Sequence, residues 1–278
     1  MTNFELSPAV AEQDPRELMK ERSLRALASW HMAQTPYKDG HIEYPHERLW
    51  LTPDELEKTK NFSNNGRLYL PDGPWAINET VVGPTDQEIQ SFLDQGLALD
   101  TNNRPVHPWL DEMIVSPEIG VVTGRGFYWR WGPNQAADTI LIAKETNSIL
   151  LIDRSGTGQW ALPGGMLDKL DDGSFEDPLT AAIREFAEEA SVDIGALRDQ
   201  MQQVYQGIVA DSRATANAWV ETTAFLAQIN HEVACKGDNE IFNAAWFPIE
   251  QVPAILKFGS HSVLVELALR QVVQNGNI

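Results

Sequence analysis

Apolar residues recur at helical spacing most cleanly in one stretch of the chain. Leu179, Ala182, Ile183, Phe186 and Ala190 line one face of a helix that starts at Pro178, with Asp177 placed as its N-cap. The polar positions of this helix are unusual. Glu185, Glu188 and Glu189 stand at i, i+3 and i+4, so three carboxylates share one face within a turn, and only Arg184 lies close by.

Around this helix the pattern changes to short apolar runs. Residues 139–143 and 149–153 are β-rich and separated by Lys144-Glu-Thr-Asn-Ser, a hairpin signal. Trp160-Ala-Leu leads into a loop at Pro163-Gly164-Gly165. Residues 204–209, 218–227 and 244–248 read as further strands, and 262–274 as a closing helix with Gly276 beyond its end. Upstream, 15–33 reads as a helix with Asp14 as N-cap, and 85–97 as a second one. Between them lies an irregular stretch with one short helix at 53–60 and a Pro-Asp-Gly-Pro turn at 71–74. The expected organisation is an N-terminal cap or support region at 1–96, partly helical and irregular, followed by a main domain at 97–278. Strands, helix, strands and helix in that order predict an α/β class with helices on both faces of a mixed sheet.

Composition narrows the function. Lys and Arg number 21 against 40 Asp and Glu, a formal charge of −19. That balance opposes polyanions, so nucleic acid and anionic membranes are not expected partners. A small anionic substrate remains open if cations and a few arginines neutralise it locally. The single cysteine, Cys235, cannot form an internal disulfide, which fits a reducing compartment. The first residues lack a basic and apolar leader pattern, and no apolar run reaches membrane-span length, so a cytoplasmic protein is expected, monomeric or homodimeric. The crowded glutamates repel one another unless a cation sits among them. An all-carboxylate oxygen site suits a hard divalent cation such as Mg²⁺, often shared with substrate phosphates.

At these residues the chain resembles the Nudix hydrolases. Their box reads here Glu176, seven residues, Arg184-Glu185-Phe186, one residue, then Glu188-Glu189. Two departures stand out. Ser191 takes the place of a late glycine, and ten residues separate Gly165 from Glu176 where the family has five, the excess including Asp171-Asp172-Gly173. The resemblance implies an α/β/α sandwich in which Glu185, Glu188 and Glu189 hold Mg²⁺ or Mn²⁺. It also implies that Arg184 anchors Glu176 or Glu188, with Glu176 aimed at the same cluster. The resemblance leaves the proton acceptor open, with Glu189 and Glu221 both candidates.

A second match is to one subgroup, the ADP-ribose pyrophosphatases of mitochondrial type, whose domain also occurs in an ADP-ribose-gated cation channel. It rests on Gly124-Arg125-Gly126, on 130–138 ending at Asp138, and on Trp160-Ala-Leu-Pro-Gly164-Gly165-Met. The pattern from Tyr205 through Asp211, Arg213, Asn217 and Glu221 to Thr222 belongs to it as well. Ala210 and Ala216 depart from the subgroup's aspartates. The match implies a nucleoside diphosphate sugar as substrate. Arg125, Asp138, Gly164, Gly165, Asp211, Arg213 and Asn217 would contact it, Arg213 through a fork suited to phosphate. Trp129, Trp131 and Trp219 read as packing, and the histidines, His261 among them, as surface or core. The expected reaction is hydrolysis of ADP-ribose to AMP and ribose 5-phosphate. The alternatives are NADH, a dinucleoside polyphosphate or a nucleoside triphosphate as substrate, or a module that binds ADP-ribose without turnover. The intact Arg184-Glu185-Phe186 favours catalysis.

Overall fold

The computed structural model describes residues 13–34, 37–38, 41–42, 83–113, 125, 128, 130–153, 158–171, 173–211, 214–235, 243–256 and 259–274. The helix expected at 53–60, Trp129 and Arg213 lie outside the described residues. Two compact units are present, one of Met1–Arg22, Gln135–Val209 and Glu221–Ile278, the other of Ser23–Asn134 and Ala210–Val220.

In chain order the elements are α1 (Pro15–Gln34), β1 (Tyr37–Lys38), β2 (His41–Ile42), α2 (Asp86–Asp94), α3 (Leu110–Met113), β3 (Gly132–Ala143), β4 (Ser148–Asp153), β5 (Trp160–Ala161), β6 (Gly164–Met166), α4 (Pro178–Ala190), β7 (Gln202–Ile208), β8 (Ala218–Ile229), β9 (Asn243–Pro248), α5 (Val252–Ile255) and α6 (Gly259–Gln274). The sheet runs β5-β4-β3-β8-β7, with β6 on β3 and β9 on β4. Pairs β3–β4, β3–β6, β4–β5, β4–β9 and β7–β8 are antiparallel. β3 and β8 run in the same direction: Lys144 N–H donates to Ile229 O and Glu145 N–H to Asn230 O. The sheet is mixed.

Alternation along β3 sorts its side chains between the two helical layers. Ala137 and Leu141 pack with Ala181, Ala182 and Phe186 of α4. The Thr139 hydroxyl donates to Ala182 O at 3.2 Å on that same side. Asp138 points to the opposite face, where His261 of α6 stands 4.0 Å away. The first unit is therefore α4, sheet and α6 in three layers. Arg22 of α1 joins Glu266 of α6 at 2.8 Å, and Arg270 completes that pairing at 2.7 Å.

The second unit closes its turns with side chains. Thr85 and Glu88 form a reciprocal cap on α2. Asp100 accepts from the N–H groups of Asn102 and Arg104 and from Arg104 Nε, below the bridge between Leu99 and Pro105. Asn217 is buried and donates to Pro105 O at 3.0 Å. His107 lies between Trp109 and Trp219 at 5.6 and 4.9 Å between ring centres. Burial holds its imidazole far below the usual value, at about 3.

Several sequence expectations change. β3 starts at Gly132, earlier than 139: Ala136, Ala137 and Asp138 pair with β6, and Gly132 N–H donates to Asn217 O. Gly164 and Gly165 lie in that strand and not in a loop. The closing helix starts at Gly259. Among the described residues, no helix is long and apolar enough to cross a membrane.

Candidate active site

α4 is held at both ends by its own sequence. Asp177 adopts extended geometry and accepts from Thr180 N–H at 3.0 Å, Pro178 fills a first-turn position, and Arg198 braces Asp177 at 2.8 Å. The apolar stripe buries Ala181, Ala182, Phe186 and Ala190. The helix ends at Ser191, in left-handed geometry with φ 53°. This is the position where the resemblance calls for glycine, and a Cβ is strained there.

The long insertion before α4 folds into a small hairpin. Lys169 bridges Phe175, Leu170 N–H donates to Ser174 O, and Gly173 turns the chain at φ 88°. Its two ends are tied twice: Glu176 N–H donates to Asp168 O, and Asp168 N–H donates to Glu176 Oε1 at 2.8 Å. The extra residues therefore leave Glu176 beside α4.

Arg184 gathers the acidic groups. It donates to Glu176 Oε1, to Glu185 Oε1 at 2.8 Å and to Met166 O at 3.3 Å, with Asp168 and Glu188 at 3.7 and 3.6 Å. Burial alone would raise the Glu176 carboxyl, but bonds from Arg184 and from Asp168 N–H outweigh it and hold the group below the usual range. Its bond to Glu176 in turn raises the Arg184 guanidinium further.

Strand β6 lies between two carboxylates. A Cβ on Gly165 would come within 2.6 Å of Glu185 Oε2, and one on Gly164 within 2.6 Å of Asp138 Oδ1. Neighbouring strand residues face opposite sides, so Glu185 covers one glycine from the α4 face and Asp138 the other from the α6 face. Gly164 N–H donates to Glu189 Oε2 at 2.9 Å, which fixes a carboxylate that is buried. Glu188 is 61% exposed. Asp138 accepts from the Thr222 hydroxyl at 2.6 Å. Phe225 and Ala227 of β8 pack with the α4-side clusters, so the same alternation turns Glu221 toward α4 and Thr222 away from it.

Glu176, Arg184, Glu185, Glu188, Glu189, Asp138, Gly164 and Gly165 thus come together in the first unit. Arg125, Asp211 and Asn217 belong to the second. Arg125 lies 5.6 Å from the Trp131 ring, and the Asn217 amide is engaged with Pro105 and Asp100. Two contributors had no site role assigned from the sequence. Thr222 meets a residue 84 positions away, and His261, whose Nδ1 accepts from Leu162 N–H at 3.0 Å, one 99 away.

In kind, the donor set fits a hard divalent cation: three carboxylates on one helical turn, two of them against the bare backbone of β6. Their rotamers are set by Arg184 and Gly164. As they stand, no three His, Cys, Asp or Glu side chains among the described residues converge on one metal position.

The NUDIX domain family model matches residues 133–267. Nudix hydrolase 6 of Caenorhabditis elegans is 33% identical over 159 residues, covering 52% of this chain and 58% of that protein. The mitochondrial ADP-ribose pyrophosphatase of Rattus norvegicus is 33% identical over 227 residues, covering 68% of this chain and 62% of that one. A transient receptor potential cation channel subfamily M member-like 2 of Nematostella vectensis is 33% identical over 129 residues, 36% of this chain and 8% of the channel. The chain spans about three fifths of the length of the first two relatives. Glutamate helix, β6 platform and family match coincide in one stretch, and the chain carries a NUDIX domain at residues 133–267.

Proposed function

We propose that this domain hydrolyses the diphosphate of ADP-ribose to AMP and ribose 5-phosphate. The observation that carries the reading is the platform itself, with Glu185 and Glu189 seated against Gly165 and Gly164 and with Glu188 on the same helical face. The likeness to the rat ADP-ribose pyrophosphatase supports the choice of substrate.

Glu185, Glu188 and Glu189 would hold Mg²⁺ or Mn²⁺, which when bound supplies charge neutralisation at the diphosphate. The protein's own groups do the rest. Arg184 and Glu176 lock the hairpin to α4, so the carboxylates keep a fixed geometry. Water oxygen forms a bond to one phosphorus while the bridging P–O bond breaks, and the leaving phosphate departs with that electron pair. A carboxylate takes the water proton. Glu189, fixed by Gly164 N–H, and Glu221, turned to the α4 face, are the two groups in that role. This reading also carries a cytoplasmic monomer or homodimer.

The test is a substrate panel of ADP-ribose, NADH, a diadenosine polyphosphate and ATP with Mg²⁺, with products resolved by chromatography. The reading expects AMP and ribose 5-phosphate, with ADP-ribose giving the highest kcat/KM. Preference for another member of the panel, or calorimetric binding of ADP-ribose without products, contradicts it.

A further inference from the structure

The segment Leu162–Pro163–Gly164 leads into the platform, and Pro163 has no N–H to donate. The remaining two amides are both taken by side chains from different layers. Leu162 N–H donates to His261 Nδ1 at 3.0 Å, and Gly164 N–H donates to Glu189 Oε2 at 2.9 Å. One end of the segment therefore hangs on α6 and the other on the glutamate helix α4. Because Nδ1 accepts, the ring proton sits on Nε2, which faces Asp138 Oδ1 at 4.0 Å. Asp138 is fixed from its other oxygen by Thr222 and fills the space above Gly164. The His261 side chain is 16% exposed, so its ring is confined.

We propose that His261 is a positioning residue for the glutamate platform. It holds Leu162 and borders Asp138, and so sets where Gly164 N–H meets Glu189. It acts through the backbone and touches neither substrate nor cation. The role rests on the hydrolase reading for its effect on rate, but the strut itself is a property of the free protein.

The experiment compares wild type with His261→Phe, which keeps the ring volume and loses the acceptor, and with His261→Asn, whose side-chain oxygen can accept from Leu162. In metal-free, ¹⁵N-labelled wild type, a through-hydrogen-bond coupling between Leu162 N and His261 Nδ1 is expected. Its absence overturns the proposal without any variant having to fold. In His261→Phe the amides of both Leu162 and Gly164 should exchange faster while those of β4 stay as they were. Exchange at Gly164 that matches wild type overturns it. With ADP-ribose and Mg²⁺, kcat should fall on the order of ten- to a hundredfold in His261→Phe at nearly constant KM, and His261→Asn should recover most of it. Equal losses in both variants, or an unchanged kcat, also overturn it. If wild type itself leaves ADP-ribose intact, the substrate reading fails while coupling and exchange still decide the strut.

Discussion

At the scale of single residues, the site depends on two missing side chains. Gly164 faces Ala137 O and Asp138, and Gly165 faces the Glu185 carboxylate. The two substitutions to alanine should therefore differ. Gly164→Ala presses a methyl on backbone and should lower stability by about 3 kcal/mol, visible as a large drop in Tm. Gly165→Ala meets the end of a movable side chain, so the protein should fold while hydrolysis is lost with Glu185 displaced. A folded, fully active Gly165→Ala would show that Glu185 need not rest there. Ser191 supplies the opposite case, since its left-handed backbone favours glycine. Ser191→Gly should stabilise by about 1 kcal/mol in thermal unfolding, with activity unchanged. The three glutamates were legible in the sequence because helical spacing alone groups them. The contacts of His261 and Thr222 were not, because their partners are set by strand and helix packing across long stretches of chain.

At the scale of elements, α4 was readable because each local signal agreed: cap, first-turn proline and apolar stripe. Asp177→Ala should cost about 1 kcal/mol of stability, measured by denaturant unfolding, and loosen the Arg198 brace with it. Glycine pairs argue for turns, and only pairing with Ala136, Ala137 and Asp138 makes β6 a strand. β3 also reaches back to Gly132 through Pro133, Asn134 and Gln135, which carry no strand pattern. The insertion before Glu176 looked like a disturbance to the box. As a closed hairpin it keeps Glu176 on Arg184, and Arg184→Met should uncouple the two. That variant is expected to lower kcat more than it raises KM, as steady-state kinetics will read out.

At the scale of the whole molecule, acid stability should expose the second unit. His107 is neutral when folded, with a pKa of about 3 against 6.5 in the unfolded chain. Above pH 6.5 both states bind no proton there and the group is neutral to stability. As pH falls from 6.5 toward 3, the unfolded state gains the proton and folding loses roughly 1.4 kcal/mol per pH unit, about 2 kcal/mol by pH 5. His107→Phe should flatten that part of the pH dependence of Tm, and an equal slope in both proteins would contradict it. The acidic balance of −19 was a guide to partners only. It left the chemistry to the α4 platform, and the platform is where the account is most exposed. The direct measurement is AMP released from ADP-ribose with Mg²⁺ by wild type, by wild type with excess chelator, and by Glu185→Gln. The account predicts AMP and ribose 5-phosphate from the first alone. AMP formed at the wild-type rate by Glu185→Gln or in chelator would contradict it.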